Sequence, residues 1–192
     1  MNSAVRNIKI DRDASSNDFR AAMHHLAGGV SVITAGRGKD ISGMTVTSVL
    51  SLSVDPPSLI VSVNRAASSW PLLKRYGFFG VNILNADQLD IAERFTGKDG
   101  SKGADRFTGA EWVTRASGVP LLAGALATIE CEVEEIVERH SHAIIIGRVL
   151  DLQLSTRTAA LAYWQGKYLA IDRDEDALLL AQVSVPLPRA LR

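Results

Sequence analysis

Apolar residues recur along this chain at two spacings, and the shorter one dominates. A period of two marks β-strands, where successive side chains face opposite sides. Val30, Val32 and Thr34 alternate with Ser31, Ile33 and Ala35. In Ser58 to Asn64, Leu59, Val61 and Val63 share one face while Ile60, Ser62 and Asn64 share the other. Thr45 to Ser53, Phe78 to Leu84, Leu126 to Val137, Ala143 to Leu154 and Tyr163 to Ile171 read as further strands. Glu130, Glu132 and Glu134 fall on alternate positions, as in a strand with one wet face.

Helical spacing is confined to short pieces. Asn17 or Asp18 caps a helix carrying Phe19, Met23, Leu26 and Ala27 on one stripe, stopped by Gly28-Gly29. Ser69 precedes a helix with Pro71 in its first turn and Gly77 at its end. Asn85 and Gln88 have capping-box spacing ahead of Leu89, Ala92 and Phe95. Asp174 to Gln182 reads as an amphipathic helix and Val183 to Arg192 as a tail. Turns are expected at Gly36 to Asp40 and Arg139 to His142, a boundary at Pro56-Pro57, and a loop at Gly97 to Gly103.

Many strands without strand-helix alternation predict a mainly β fold, an antiparallel barrel, closed or partly closed, with a few short flanking helices. The 192 residues fit one domain. The expected organisation is a mobile N-terminal segment (1–16), the barrel domain (17–171) and a C-terminal helix and tail (172–192).

Charge and composition narrow the function. Lysines and arginines number 21, matched by 21 acidic residues, and no segment supplies the basic excess of a nucleic-acid surface. Cys131 is the only cysteine, which rules out an intrachain disulfide and fits a reducing compartment. With no signal-like segment and no 18-residue apolar run, a soluble cytoplasmic protein without membrane contact is expected.

The dinucleotide fingerprint and the Walker pattern are both absent, so a bound nucleotide must be held another way. Hydroxyls crowd Thr45, Thr47, Ser48, Ser51, Ser53, Ser58 and Ser62. Ser68-Ser69 at a helix start is either a plain N-cap or an anion site built from hydroxyls and free amides. Ser62 and Asn64 lie on the strand leading to it, and Trp70 beside it either packs or covers a planar ligand. Arg94, Lys98 and Lys102 either meet a phosphate or are solvated. His140 and His142 share one side of an extended segment, as solvated turn residues or as two ligands of a metal; no metal site is assigned. Cys131 lies between glutamates, without the positive setting that activates a thiol, and no serine occupies a nucleophile elbow.

Separated motifs then converge. Phe19-Arg20, Gly29-Val30, Gly43-Met44-Thr45, Thr47-Ser48, Ser51 through Pro57, Asn64, Phe95, Asp105-Arg106-Phe107, Gly118-Val119-Pro120-Leu121, His142 and Gly147-Arg148-Val149 together resemble the short-chain flavin reductase family over residues 17–171. That family supplies reduced flavin to two-component monooxygenases. The resemblance implies a homodimer of Greek-key-type split β-barrels that moves a hydride from NADH or NADPH to FMN or FAD and passes the reduced flavin to a partner oxygenase. It further implies that Thr45, Val46, Thr47 and Ser48 line the isoalloxazine ring and that Ser62, Val63 and Asn64 follow the ribityl chain. Ser68, Ser69 and Trp70 would hold the phosphate end, with Phe95 nearby. His142 matches the catalytic histidine on the nicotinamide side, although Ser141 stands where the family has aspartate. Hydride transfer requires no protein nucleophile, since the cofactor carries the electronics. Two other readings remain at this point: a non-catalytic flavin-binding protein, and a split-barrel flavoenzyme acting directly on an organic substrate.

Overall fold

The period-two segments become twelve strands in the computed structural model, which describes residues 14–172. In chain order they are β1 (Gly28–Gly29), β2 (Ser31–Arg37), β3 (Asp40–Val46), β4 (Val49–Val54), β5 (Pro57–Asn64), β6 (Phe78–Ile83), β7 (Trp112–Thr114), β8 (Pro120–Leu122), β9 (Ala127–Arg139), β10 (His142–Leu154), β11 (Ala160–Trp164) and β12 (Lys167–Ile171). Three α-helices intervene: α1 (Ser16–His24), α2 (Trp70–Tyr76) and α3 (Leu89–Arg94). The expected helix at Asp174–Gln182 and the tail after it lie outside the described residues.

Seven strands form one antiparallel sheet in the order β3-β2-β6-β9-β10-β5-β4. This order corrects the expectation of a single strand from Thr45 to Ser53. That stretch breaks at Thr47–Ser48, and its halves lie on opposite edges of the sheet. Laid flat, seven strands would separate their edges by about 29 Å at ~4.8 Å per strand. The three Cα–Cα steps from Val46 to Val49 span at most about 11 Å. The sheet must therefore roll until its edges nearly meet. They do not pair with each other, so the barrel stays split along the seam between β3 and β4.

Inside the roll, the apolar face of β5 meets those of its neighbours. Leu59, Val61 and Val63 pack with Ile33, Phe79, Ile145 and α2 residues Trp70 and Leu73. A second cluster places Ile91 and Ala92 of α3 and its C-cap residue Phe95 against Val30, Val32 and Leu122. A hairpin of β11 and β12, which the sequence pattern had merged into one strand, pairs with β1 and closes one side of this second core.

Three further expectations change. Ser15, not Asn17 or Asp18, caps α1: its Oγ accepts from the Asp18 amide at 3.1 Å. No residue of α1 is buried, and Phe19 and Leu26 are 61% and 68% exposed, so the stripe has no cover within the described chain. Glu130 is 2% exposed and not on a wet face; its Oε1 accepts from the Ser117 amide at 2.7 Å, which holds the turn before β8. Glu132 and Glu134 instead pair with Arg148. Beside Glu130, burial first and that carboxylate second push the Cys131 thiol up to about 12, which leaves it unreactive. Among the described residues no helix is long and apolar enough to cross a membrane.

Candidate functional site

A cleft of about 660 Å³ opens along the seam. Met44, Thr45, Val46 and Thr47 form one lip where β3 ends, and Asn64, Ala66, Ala67 and Ser68 form the other where β5 runs out toward α2. Val30 and Phe95 give it an apolar floor. Lys98, Lys102 and Arg106 enter from the segment after α3, and Tyr163 and Tyr168 from the β11–β12 hairpin.

Of the residues singled out in the sequence, Thr45, Val46, Thr47, Asn64, Ser68 and Phe95 line this cleft. Their hydroxyls are less free than the sequence suggested. Thr45 Oγ1 donates to Ala92 O at 2.6 Å, and its amide to Phe95 O at 3.2 Å, tying β3 to the end of α3. Ser48 Oγ donates to Ser62 O at 2.8 Å and pins the seam crossing to β5. Ser68 Oγ shares a hydrogen bond with Ser42 Oγ at 2.7 Å. Thr47 is exposed at the lip.

Ser48, Ser62, Val63, Ser69 and Trp70 do not line the cleft. Val63 and Trp70 belong to the main core, where Lys74 Nζ lies 5.4 Å from the Trp70 ring centroid. Ser69 takes helical dihedrals (φ −78°, ψ −19°) in place of the extended N-cap conformation, so its side chain caps no amide. Its Oγ is buried without a hydrogen-bond partner.

His142 begins β10 directly opposite Asn64 of β5. Paired residues of antiparallel strands project to the same face, which sets His142 beside the lip that Asn64 forms. Ser141 Oγ lies 2.9 Å from His142 Nδ1. Arg65 fastens this corner, its amide donating to Ser141 O at 2.9 Å, its Nη1 to His140 O at 2.9 Å, and its Nη2 pairing with Glu138 at 2.6 Å. His140 occupies the turn with φ +50°, so it does not share a strand with His142.

Arg106, Tyr163 and Tyr168 were not singled out as site residues. The motif Asp105-Arg106-Phe107 was visible, but nothing local indicates that Arg106 reaches back across 63 residues to Gly43 O. The tyrosines were hidden by reading their hairpin as one strand.

Residues 23–172 match the profile of the flavin reductase like domain. The chain is 36% identical over 152 residues to a flavin reductase of Pseudomonas putida, covering 78% of this chain and 86% of that protein. It is 33% identical over 155 residues to the FMN reductase (NADH) RutF of Cronobacter sakazakii, covering 81% and 92%. Among solved structures, the styrene monooxygenase flavin reductase SMOB of Pseudomonas putida S12 superimposes with a TM-score of 0.70 at 32% identity, covering 80% of this chain and 97% of that one.

Proposed function

The chain belongs to the flavin reductase like family, and from that membership we propose that the seam cleft is where an NAD(P)H:flavin oxidoreductase binds its flavin. The carrying observation is the fit between cleft and ligand. An apolar floor suits a flat ring, and three cations in the lining suit a phosphate. Thr47, Asn64 and Ser68 present short, exposed polar side chains, which suits a flavin that leaves after reduction. FMN or FAD supplies the hydride-accepting chemistry and NADH or NADPH the hydride, while the protein supplies position and hydrogen bonds. Met44 through Thr47 would flank the ring, Asn64 the ribityl chain, and Ser68 with Lys102 the phosphate. The reduced flavin then passes to a partner oxygenase.

His142 is assigned to the nicotinamide side, on the lip opposite β3. Steady-state assays crossing NADH and NADPH with riboflavin, FMN and FAD should show nucleotide oxidation that requires flavin; the absence of any flavin-stimulated rate would remove the whole reading. In the same assay His142→Ala should cut kcat/KM for the nucleotide roughly tenfold, about 1.4 kcal/mol of lost interaction. Unaltered kinetics would make His142 structural.

A homodimer completes the proposal. Leu50, Leu52 and Val54 on edge strand β4, and Leu152 and Leu154 where β10 runs past its pairing with β5, are exposed. An uncovered apolar edge of this length calls for a partner surface, and a second copy fits the reading. Light scattering should give twice the 20.7 kDa chain mass; a mass of one chain at every concentration would rule the dimer out.

A further inference from the structure

The turn between β9 and β10 carries a backbone conformation that has to be held in place. His140 has φ +50°, in the left-handed region that residues with a side chain enter sparingly. Such a conformation persists where surrounding contacts overdetermine it, and Arg65, the residue after Asn64 of the cleft's lip, supplies them. Its amide donates to Ser141 O, its Nη1 donates to His140 O, and its Nη2 pairs with Glu138, whose carboxylate also meets Lys74 at 3.4 Å. Both turn carbonyls and the end of β9 are thus gripped from beyond β5.

This turn leads directly into His142. The β5–β10 ladder pairs His142 with Asn64 as its last rung before Arg65, so a shift of the turn moves the histidine against the lip. The ring itself has a second hold. Ser141 Oγ lies 2.9 Å from His142 Nδ1, and among the described residues this is the one hydrogen bond of the Ser141 side chain. A hydroxyl brings one proton, and Nδ1 is the acceptor within its reach. A neutral imidazole that accepts at one nitrogen carries its proton on the other.

We propose that Arg65 and Ser141 are positioning residues for His142: Arg65 fixes the turn, and Ser141 donates to Nδ1, so that the ring offers its Nε2–H as a hydrogen-bond donor. A donor beside the lip selects an acceptor on the hydride donor, such as a carboxamide oxygen. The serine decides the sign of this contact. An ionised aspartate, which the family resemblance leads one to expect at position 141, can only accept; it would draw the proton to Nδ1 and leave Nε2 an acceptor. The proposal rests on the reading that His142 serves the nicotinamide side.

Long-range proton–nitrogen spectra, with the His142 signals assigned by their loss in His142→Ala and recorded where the ring is neutral, read the tautomer directly. Wild type and Ser141→Thr should show the Nε2–H form, Ser141→Ala a mixture, and Ser141→Asp the Nδ1–H form. A wild-type ring in the Nδ1–H form, or a tautomer unmoved by Ser141→Ala and Ser141→Asp, would overturn the proposal. Kinetics test the arginine. Arg65→Ala should lower kcat/KM for the nucleotide about fivefold while flavin Kd changes less than about twofold, and Arg65→Lys should recover little. In a His142→Ala background the Arg65→Ala loss should vanish, because a residue that acts through His142 has nothing left to position. Losses that add would mean that Arg65 meets the nucleotide itself, and an unchanged kcat/KM in Arg65→Ala would deny it any positioning role; either result overturns the proposal. Failure of the underlying reading looks different: His142→Ala would leave the kinetics unaltered, while the spectra would still report the hold of Ser141 on the ring.

Discussion

Arg106→Ala is expected to weaken flavin binding about tenfold and to lower stability by about 2 kcal/mol. The guanidinium joins three segments that meet at the cleft. Its Nε donates to Ser101 O at 3.0 Å, and its Nη1 to Gly43 O at 2.7 Å and, more distantly, to Phe95 O at 3.5 Å. Gly43 leads into the β3 lip, Phe95 closes α3, and Ser101 belongs to the loop that carries Lys98 and Lys102. The cation also lies at the C-terminal end of α3, where the exposed carbonyls favour positive charge. Gly97 wraps so closely that a Cβ there would lie 2.2 Å from Arg106 Nη2, and its φ of +74° suits glycine. Lysine carries the charge but its donors leave a single nitrogen, so it cannot reproduce bonds that the planar guanidinium makes from Nε and Nη1 separately. Arg106→Lys should therefore recover little flavin affinity, while free guanidinium at sub-denaturing concentration should restore part of it to Arg106→Ala. Quenching titrations and thermal melts separate the effects. A drop in melting temperature with flavin affinity intact would make Arg106 a general brace.

The strands were legible because burial on one side of a rolled sheet imposes alternation. Leu59, Val61 and Val63 announced the inner face of β5, and the structure buries all three. Where local pattern misled, a distant partner had decided the matter. Thr45 to Ser53 is continuous in β propensity, yet the chain must leave β2 as a neighbour and take β5, and no local signal marks a change of sheet edge. Glu130 fits an alternating wet face until Ser117, 13 residues away, offers its amide to the carboxylate. The cleft was half visible for the same reason. Thr45, Thr47 and Asn64 stood out as small polar residues in predicted strands and Ser68 as one at a predicted helix start, while Tyr163, Tyr168 and Arg106 reach the cleft through tertiary packing alone. Family resemblance carried the chemistry that local letters left open.

Phe95 is where packing and site coincide, and Phe95→Ala should produce the largest single loss. The ring is 1% exposed, so its removal costs about 3–5 kcal/mol in transfer and cavity terms. Two aromatic contacts disappear with it: Phe107, edge-on at 5.1 Å, and Trp112, tilted at 5.4 Å. The ring also fixes the lip. A Cβ on Gly43 would stand 2.7 Å from it, so β3 runs past Phe95 at a distance only glycine permits. With the ring gone, the Phe95 carbonyl that accepts from Thr45 N and Arg106 Nη1 loses its anchor, and the lip can move into the space. Thermal or denaturant unfolding should show the stability loss, and flavin quenching should show affinity falling by tenfold or more in the fraction still folded. Saturating flavin should then raise the variant's melting temperature less than it raises that of the wild type, because ligand stabilisation scales with the logarithm of ligand over Kd. Phe95→Leu keeps most of the volume and should fall between the two. A variant that loses stability yet gains the full wild-type shift from flavin would show that the ring supports the core without shaping the lip.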